Sequence, residues 1–205
     1  MLDGPGWGPQ NRQPPRQLVV LCHGYGANGR DLIDLAPLWG QALPGALFIA
    51  VDAPETVPGL PQGRQWFPLT DRDPARMEAG ARAARPGLDS FLDAALARLR
   101  LPADAYALMG FSQGAMMALY AGLRRPVAPR TILAYSGLLP GAASLARDIT
   151  ARPPVLLVHG QADEVVPVAA GRATEAALRA LGVTVEAYYP PHLGHGIDQA
   201  GIALG

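Results

Sequence analysis

Residues Gly110-Phe111-Ser112-Gln113-Gly114 hold one of only four serines between two glycines, directly after the apolar run 105–109 and directly before the apolar stretch 115–123. A chain that turns from a buried strand into a helix in so few residues strains its central residue. It also brings neighbouring backbone so close that a side chain two positions either way would clash. Glycine removes that clash. The hydroxyl then stands exposed at the carboxyl end of a sheet, above the first amides of a helix, where developing negative charge is favoured. Ser112 is the candidate nucleophile.

A serine hydroxyl attacks only when a base takes its proton, and the base needs a third group to fix its tautomer and stabilise its charge. The histidines are His23, His159, His192 and His195. His23 and His159 each end an apolar run and precede a glycine, which suits a turn-holding role. His195 lies in Gly194-His195-Gly196, beyond the last predicted strand, on a loop free to bend over the sheet end, and is the candidate base. His192 is its rival on the same loop. The candidate acid is Asp163, in the segment 159–167 that follows the apolar run 155–158. Glu164 competes with it, and Asp163 could alternatively cap the helix that starts near Pro167. The chain order Ser112, Asp163, His195 is the order used in the α/β-hydrolase fold.

The oxygen of a tetrahedral intermediate needs donors, each worth about 10²–10³ in rate. The backbone amide of Gln113 is one candidate. The other is the amide of Tyr25, in the glycine-flanked loop Cys22-His23-Gly24-Tyr25-Gly26 after the first core strand. Cys22 beside it reads as a small buried apolar residue.

These groups need a scaffold that brings distant parts of the chain to one edge. Short, near-continuous apolar runs at 17–22, 46–51, 105–109, 131–135, 155–158 and 183–189 read as strands buried on both faces. Helical patterns at 31–41, 76–100, 113–123 and 168–181 alternate with them, which gives an α/β fold with a mostly parallel central sheet flanked by helices. Residues 1–16, rich in Gly, Pro and Gln, read as an N-terminal segment, and 17–205 as a single domain. The one long irregular segment, 53–73, carries four prolines with Trp66 and Phe67. Loops of that length are commonly functional, and Leu60, Trp66 and Phe67 are the candidate substrate-binding residues.

Composition narrows the partners. Seventeen basic residues balance seventeen acidic ones, so no net field draws nucleic acid or an anionic membrane surface. All seventeen basic residues are arginine, which removes Schiff-base, phosphate-loop and Ser-Lys chemistry. The single cysteine excludes an internal disulfide and suits a reducing compartment. The start of the chain lacks the apolar core of a signal peptide, and no run reaches the roughly 18 apolar residues of a membrane span. The expectation is a cytoplasmic protein without stable membrane insertion, acting on small molecules.

Taken together, Leu21-Cys22-His23-Gly24-Tyr25-Gly26-Ala27-Asn28 with Asp31-Leu32, Gly63-Arg64-Gln65-Trp66-Phe67, the serine motif, His159-Gly160 to Asp163 to Val166-Pro167, and Gly194-His195-Gly196-Ile197 resemble the phospholipase/carboxylesterase family. That family includes bacterial carboxylesterases and acyl-protein thioesterases. The resemblance spans roughly residues 17–200. It implies a compact α/β-hydrolase without a large lid domain, which cleaves carboxylic esters or thioesters without a cofactor or metal; the substrates expected are short to medium acyl chains. It makes Ser112, Asp163 and His195 the triad and the amides of Tyr25 and Gln113 the oxyanion hole. Members of the family are often dimers, so a homodimer is among the arrangements it allows. Two features depart from the family pattern: only ten residues follow His195, and Pro68 follows Phe67. The competing readings are a hydrolase-like binding protein with impaired catalysis, and a perhydrolase or dienelactone-type hydrolase.

Overall fold

A computed structural model describes residues 2–205. In chain order the elements are β1 (Gly6–Trp7), β2 (Gln17–Cys22), α1 (Gly29–Ile33), α2 (Ala36–Gly40), β3 (Ala46–Val51), β4 (Glu55–Val57), β5 (Leu60–Gln65), α3 (Pro74–Leu99), β6 (Tyr106–Phe111), α4 (Gln113–Gly122), β7 (Ile132–Tyr135), α5 (Ala142–Asp148), β8 (Val155–Val158), α6 (Val168–Ala180), β9 (Val185–Tyr188) and α7 (Gln199–Leu204). Seven strands form one sheet in the order β1-β3-β2-β6-β7-β8-β9, parallel throughout except for β1.

The inner apolar runs become strands because helices cover both faces of the sheet, whereas at the edge β9, expected to be buried on both faces, leaves Glu186 exposed and Ala187 and Tyr188 half-buried. On one face α3 and α4 pack over Leu18, Val20, Leu108 and Ile132, and on the other α1, α2 and α7 pack over Val19, Leu21, Phe48 and Leu133. The switch from β2 to β3 on one side and to β6 on the other places the carboxyl ends of β2 and β6 side by side, the position at which doubly wound sheets build their sites.

Several elements differ from the sequence expectation. The helix expected over 31–41 is broken into α1 and α2. Asn28 caps α1 in a reciprocal capping box with Asp31, and the second turn restarts at Ala36 ahead of Pro37. Within the segment expected to precede the domain, Gly6–Trp7 adds an antiparallel edge strand to β3, and the carbonyls of Asp3 and Pro5 accept from Asp52 and Ala50. The irregular segment 53–73 contains the hairpin β4-β5, with a register shift between Thr56 and Val57. The ten residues after His195 include α7, whose first turn is capped by Asp198 Oδ1 accepting from Gly201 N at 2.7 Å. Among the described residues no helix is long and apolar enough to cross a membrane.

Candidate active site

Ser112 sits between the end of β6 and the first residue of α4 with φ 53° and ψ −118°, a conformation that costs a non-glycine residue energy. The surrounding backbone imposes it. Ser112 N–H donates to Tyr135 O at 2.9 Å, and its carbonyl accepts from Met116 N at 3.2 Å. The flanking glycines are required by close approach: a Cβ on Gly110 would lie 2.2 Å from Gly114 O, and one on Gly114 would lie 1.9 Å from Cys22 O. The five-residue motif is therefore packed against the end of β2 as well as folded on itself.

Asp163, in the loop after β8, is 6% exposed. Its Oδ1 accepts from the N–H groups of Val165 and Val166 at 2.9 and 2.8 Å, and its Oδ2 lies 2.8 Å from His195 Nδ1. A carboxylate only accepts, so His195 Nδ1 carries the proton and Nε2 is left as the basic nitrogen of the ring. That is the tautomer a general base for a hydroxyl requires. His195 and Ser112 line the same cavity, and the Phe111 ring lies 5.0 Å from the imidazole, centroid to centroid.

The other histidines are used elsewhere. His159 Nε2 donates to Val166 O at 2.7 Å and also lies 3.4 Å from Asp163 Oδ2, so it braces the acid loop from behind. Ala53 N–H donates to His23 Nε2 at 2.9 Å, and His23 Nδ1–H therefore donates to Gly24 O at 2.7 Å. Burial holds the His23 imidazole below its usual titration range. His192 and Glu164, the rivals for base and acid, are exposed and outside the cavity.

The histidine loop is held by contacts that the sequence did not reveal. Ser136 Oγ donates to Gly196 O at 3.1 Å, Tyr135 OH to Gly201 O at 3.0 Å and Trp39 Nε1 to Ile202 O at 2.9 Å. The acid loop runs against it backbone to backbone: Ala162 N–H donates to Leu193 O at 3.0 Å, and a Cβ on Gly160 would come within 2.1 Å of that same carbonyl. One anchor holds the loop beside His195, and two hold the final helix.

Tyr25 is 44% exposed at the cavity rim, and Gln113 is fully buried at the start of α4. Among the described residues neither backbone N–H has a hydrogen-bond acceptor. The Gln113 side chain is turned away from the cavity, with Oε1 accepting from Trp66 N at 2.9 Å and Nε2 donating to Phe67 O at 2.8 Å.

Leu60, Trp66 and Phe67, expected to wall the substrate site, lie apart from the cavity that holds Ser112 and His195. Trp66 and Phe67 are 1% and 2% exposed in the core, while Leu60 is 45% exposed on β5, and none of the three lines the cavity. The hairpin turns both aromatics inward because their backbone is clamped to Gln113. The cavity wall comes instead from the stretch just beyond, Leu69 to Arg72. The cavity is about 720 Å³ and largely apolar, closed by Met77, Met116, Leu138, Val165 and Val166. These residues come from separate parts of the chain, so no local pattern could have marked them. Among the described residues, no group of three or more His, Cys, Asp and Glu side chains is arranged to hold a metal ion.

A family model described as Phospholipase/Carboxylesterase matches residues 9–203. The chain is 31% identical over 186 residues to the esterase YpfH of Escherichia coli, covering 91% of this chain and 78% of that protein. It is 30% identical over 157 residues to acyl-protein thioesterase 1 of Schizosaccharomyces pombe, covering 73% of this chain and 69% of that one. Among solved structures it is similar to esterase PE8, with a TM-score of 0.94 and 41% identity over 99% of this chain and 95% of that chain.

Proposed function

The chain belongs to the phospholipase/carboxylesterase family, and from that premise we propose that it is a serine hydrolase cleaving carboxylic esters or thioesters of short to medium acyl chains through an acyl-enzyme. Ser112 Oγ attacks the acyl carbonyl carbon while its proton passes to His195 Nε2. The imidazolium so formed is steadied by Asp163 Oδ2, 2.8 Å from Nδ1. The Tyr25 and Gln113 N–H groups donate to the oxyanion of the tetrahedral intermediate. Collapse breaks the bond to the leaving alcohol or thiol, which takes the proton from His195. Water then attacks the acyl-enzyme, its proton goes to His195, and the acid leaves as Ser112 recovers its hydrogen.

The observation that carries this reading is the Asp163–His195 hydrogen bond facing a cavity that also contains Ser112 in a strained turn. The largely apolar wall supports acyl chains in place of charged acyl groups. A cytoplasmic location fits a lone cysteine that is buried.

The test is p-nitrophenyl acetate turnover together with labelling by a fluorophosphonate probe. The wild type should hydrolyse the ester and label once, at Ser112, and Ser112→Ala should do neither while remaining folded. Full turnover by that variant would exclude the mechanism. A folded wild type that neither hydrolyses nor labels would favour the binding-protein reading.

A further inference from the structure

Arg72, in the segment after the β4-β5 hairpin, lines the cavity, and its Nη1 donates to the carbonyl of Val165 on the loop that carries the acid. The C=O of Val165 and the N–H of Val166 belong to one peptide unit. That N–H donates to Asp163 Oδ1 at 2.8 Å, and Asp163 Oδ2 accepts the Nδ1–H of His195 at 2.8 Å. An unbroken run of hydrogen bonds therefore leads from a permanent cation on one side of the cavity, through a single peptide and a carboxylate, to the imidazole.

The guanidinium is not committed to a carboxylate. Of the acids beside it, Asp71 pairs with Arg76 at 2.6 Å and Asp73 caps α3 by accepting from Arg76 N at 2.9 Å. The other polar groups around the pair act from different directions. His159 Nε2 lies 3.4 Å from Asp163 Oδ2, Asp71 and Tyr25 line the cavity, and Glu164 is exposed next to the acid. Arg72 alone joins the 165–166 peptide from its carbonyl side.

The geometry points to Arg72 as a positioning residue that, through the 165–166 peptide, fixes the Asp163–His195 pair; this rests on the reading of that pair as acid and base. A cation on a peptide oxygen polarises the unit and strengthens donation from its N–H, since hydrogen bonds in series reinforce one another. The carboxylate is thereby held with Oδ2 aimed at His195 Nδ1, and the loop that sets the orientation of the imidazole is tied to the opposite wall.

Arg72 is exposed, so the bond adds little to global stability and its loss should leave the thermal midpoint nearly unchanged. The experiment compares wild type, Arg72→Met and Arg72→Lys on a neutral p-nitrophenyl ester, with fluorophosphonate labelling rates alongside. For Arg72→Met we expect kcat to fall by about tenfold, less than the roughly hundredfold that a 1 Å misplacement of a catalytic group can cost. KM should change little, and labelling should slow in parallel. Lysine, which keeps the charge and a donor, should restore part of each effect. A rise in KM with kcat and the labelling rate unchanged would make Arg72 a substrate-binding residue and overturn the proposal, as would a variant indistinguishable from an active wild type. A wild type that neither turns over nor labels would instead bring down the reading of the site itself, and this proposal with it.

Discussion

The indole N–H of Trp66 donates to the carbonyl of His23 at 3.0 Å, so a buried aromatic on one loop holds the strand end from which the Tyr25 amide projects. The backbone N–H of the same residue donates to Gln113 Oε1. Both proposed oxyanion donors are thus tied to one residue that never reaches the cavity.

Trp66→Phe should therefore lower kcat with the preference among acyl chain lengths unchanged, because it keeps the bulk and removes the donor. Trp66→Ala should cost about 3–5 kcal/mol of stability as a large buried side chain is deleted. Leu138→Trp, by contrast, narrows the cavity and should shift preference toward shorter chains. A panel of p-nitrophenyl esters with denaturant titrations separates the two classes. A chain-length shift in Trp66→Phe would contradict the placement of the indole.

Asp163→Asn should leave the fold intact and reduce kcat on the order of 10⁴-fold, since an amide in place of Oδ2 no longer enforces the Nδ1–H tautomer of His195. Glu164→Gln, exposed and outside the cavity, should behave like wild type. Steady-state kinetics on both variants provide the check, and a larger loss in Glu164→Gln would reassign the acid.

Gly114→Ala should fail to give folded protein, because its Cβ would sit 1.9 Å from the Cys22 carbonyl and neither backbone can move without breaking the sheet. Gly24→Ala is milder. Its Cβ would lie 3.2 Å from Ser112 Cβ and 3.3 Å from Phe111 Cδ1, so it should fold and lose turnover by crowding the nucleophile. Soluble yield, circular dichroism and esterase rates distinguish these outcomes.

His23 gives stability a pH dependence whose sign follows from its burial. Its folded titration point is lowered, mainly by desolvation, whereas the unfolded chain takes up a proton at the ordinary value of 6.5. Above that pH both states are neutral there and no dependence arises. As pH falls below it the unfolded state gains a proton that the folded state refuses, so stability declines until the folded imidazole also charges and loses the Ala53 N–H it accepts. The thermal midpoint of His23→Gln should be lower than wild type at pH 7.5 but should fall less between pH 7.5 and 5.5. An equal fall in both proteins would remove His23 as a source of acid sensitivity.

Cys22 is fully buried on β2, and desolvation pushes its thiol up to about 12. Native protein at pH 8 should resist a thiol-reactive disulfide reagent, with one equivalent reacting on unfolding. Rapid labelling of the native state would show that the end of β2 opens.

Much of the molecule could be read from its sequence because the relevant signals are local. Apolar runs of four to six residues read as strands covered on both faces, whereas the longer apolar stretch after Ser112 is the buried helix α4, and their alternation with helical patterns points to a parallel sheet. Glycines two residues either side of Ser112 announce a turn too tight for side chains, and the order of Ser112, Asp163 and His195 along the chain matches the order in which their strands leave the sheet. What the sequence could not supply depends on which distant surfaces meet. Trp66 and Phe67 looked like cavity walls because large apolar side chains in a loop serve either role, and only the clamp from Gln113, 47 residues away from Trp66, turned them into the core. The support of the residues after His195 is equally non-local, since Ser136, Tyr135 and Trp39 anchor Gly196, Gly201 and Ile202. The cavity wall and the link from Arg72 to the acid loop, 93 residues apart, arise from the closure of the whole fold, since hydrogen bonds and packing between segments so far apart leave no periodicity or motif in either one.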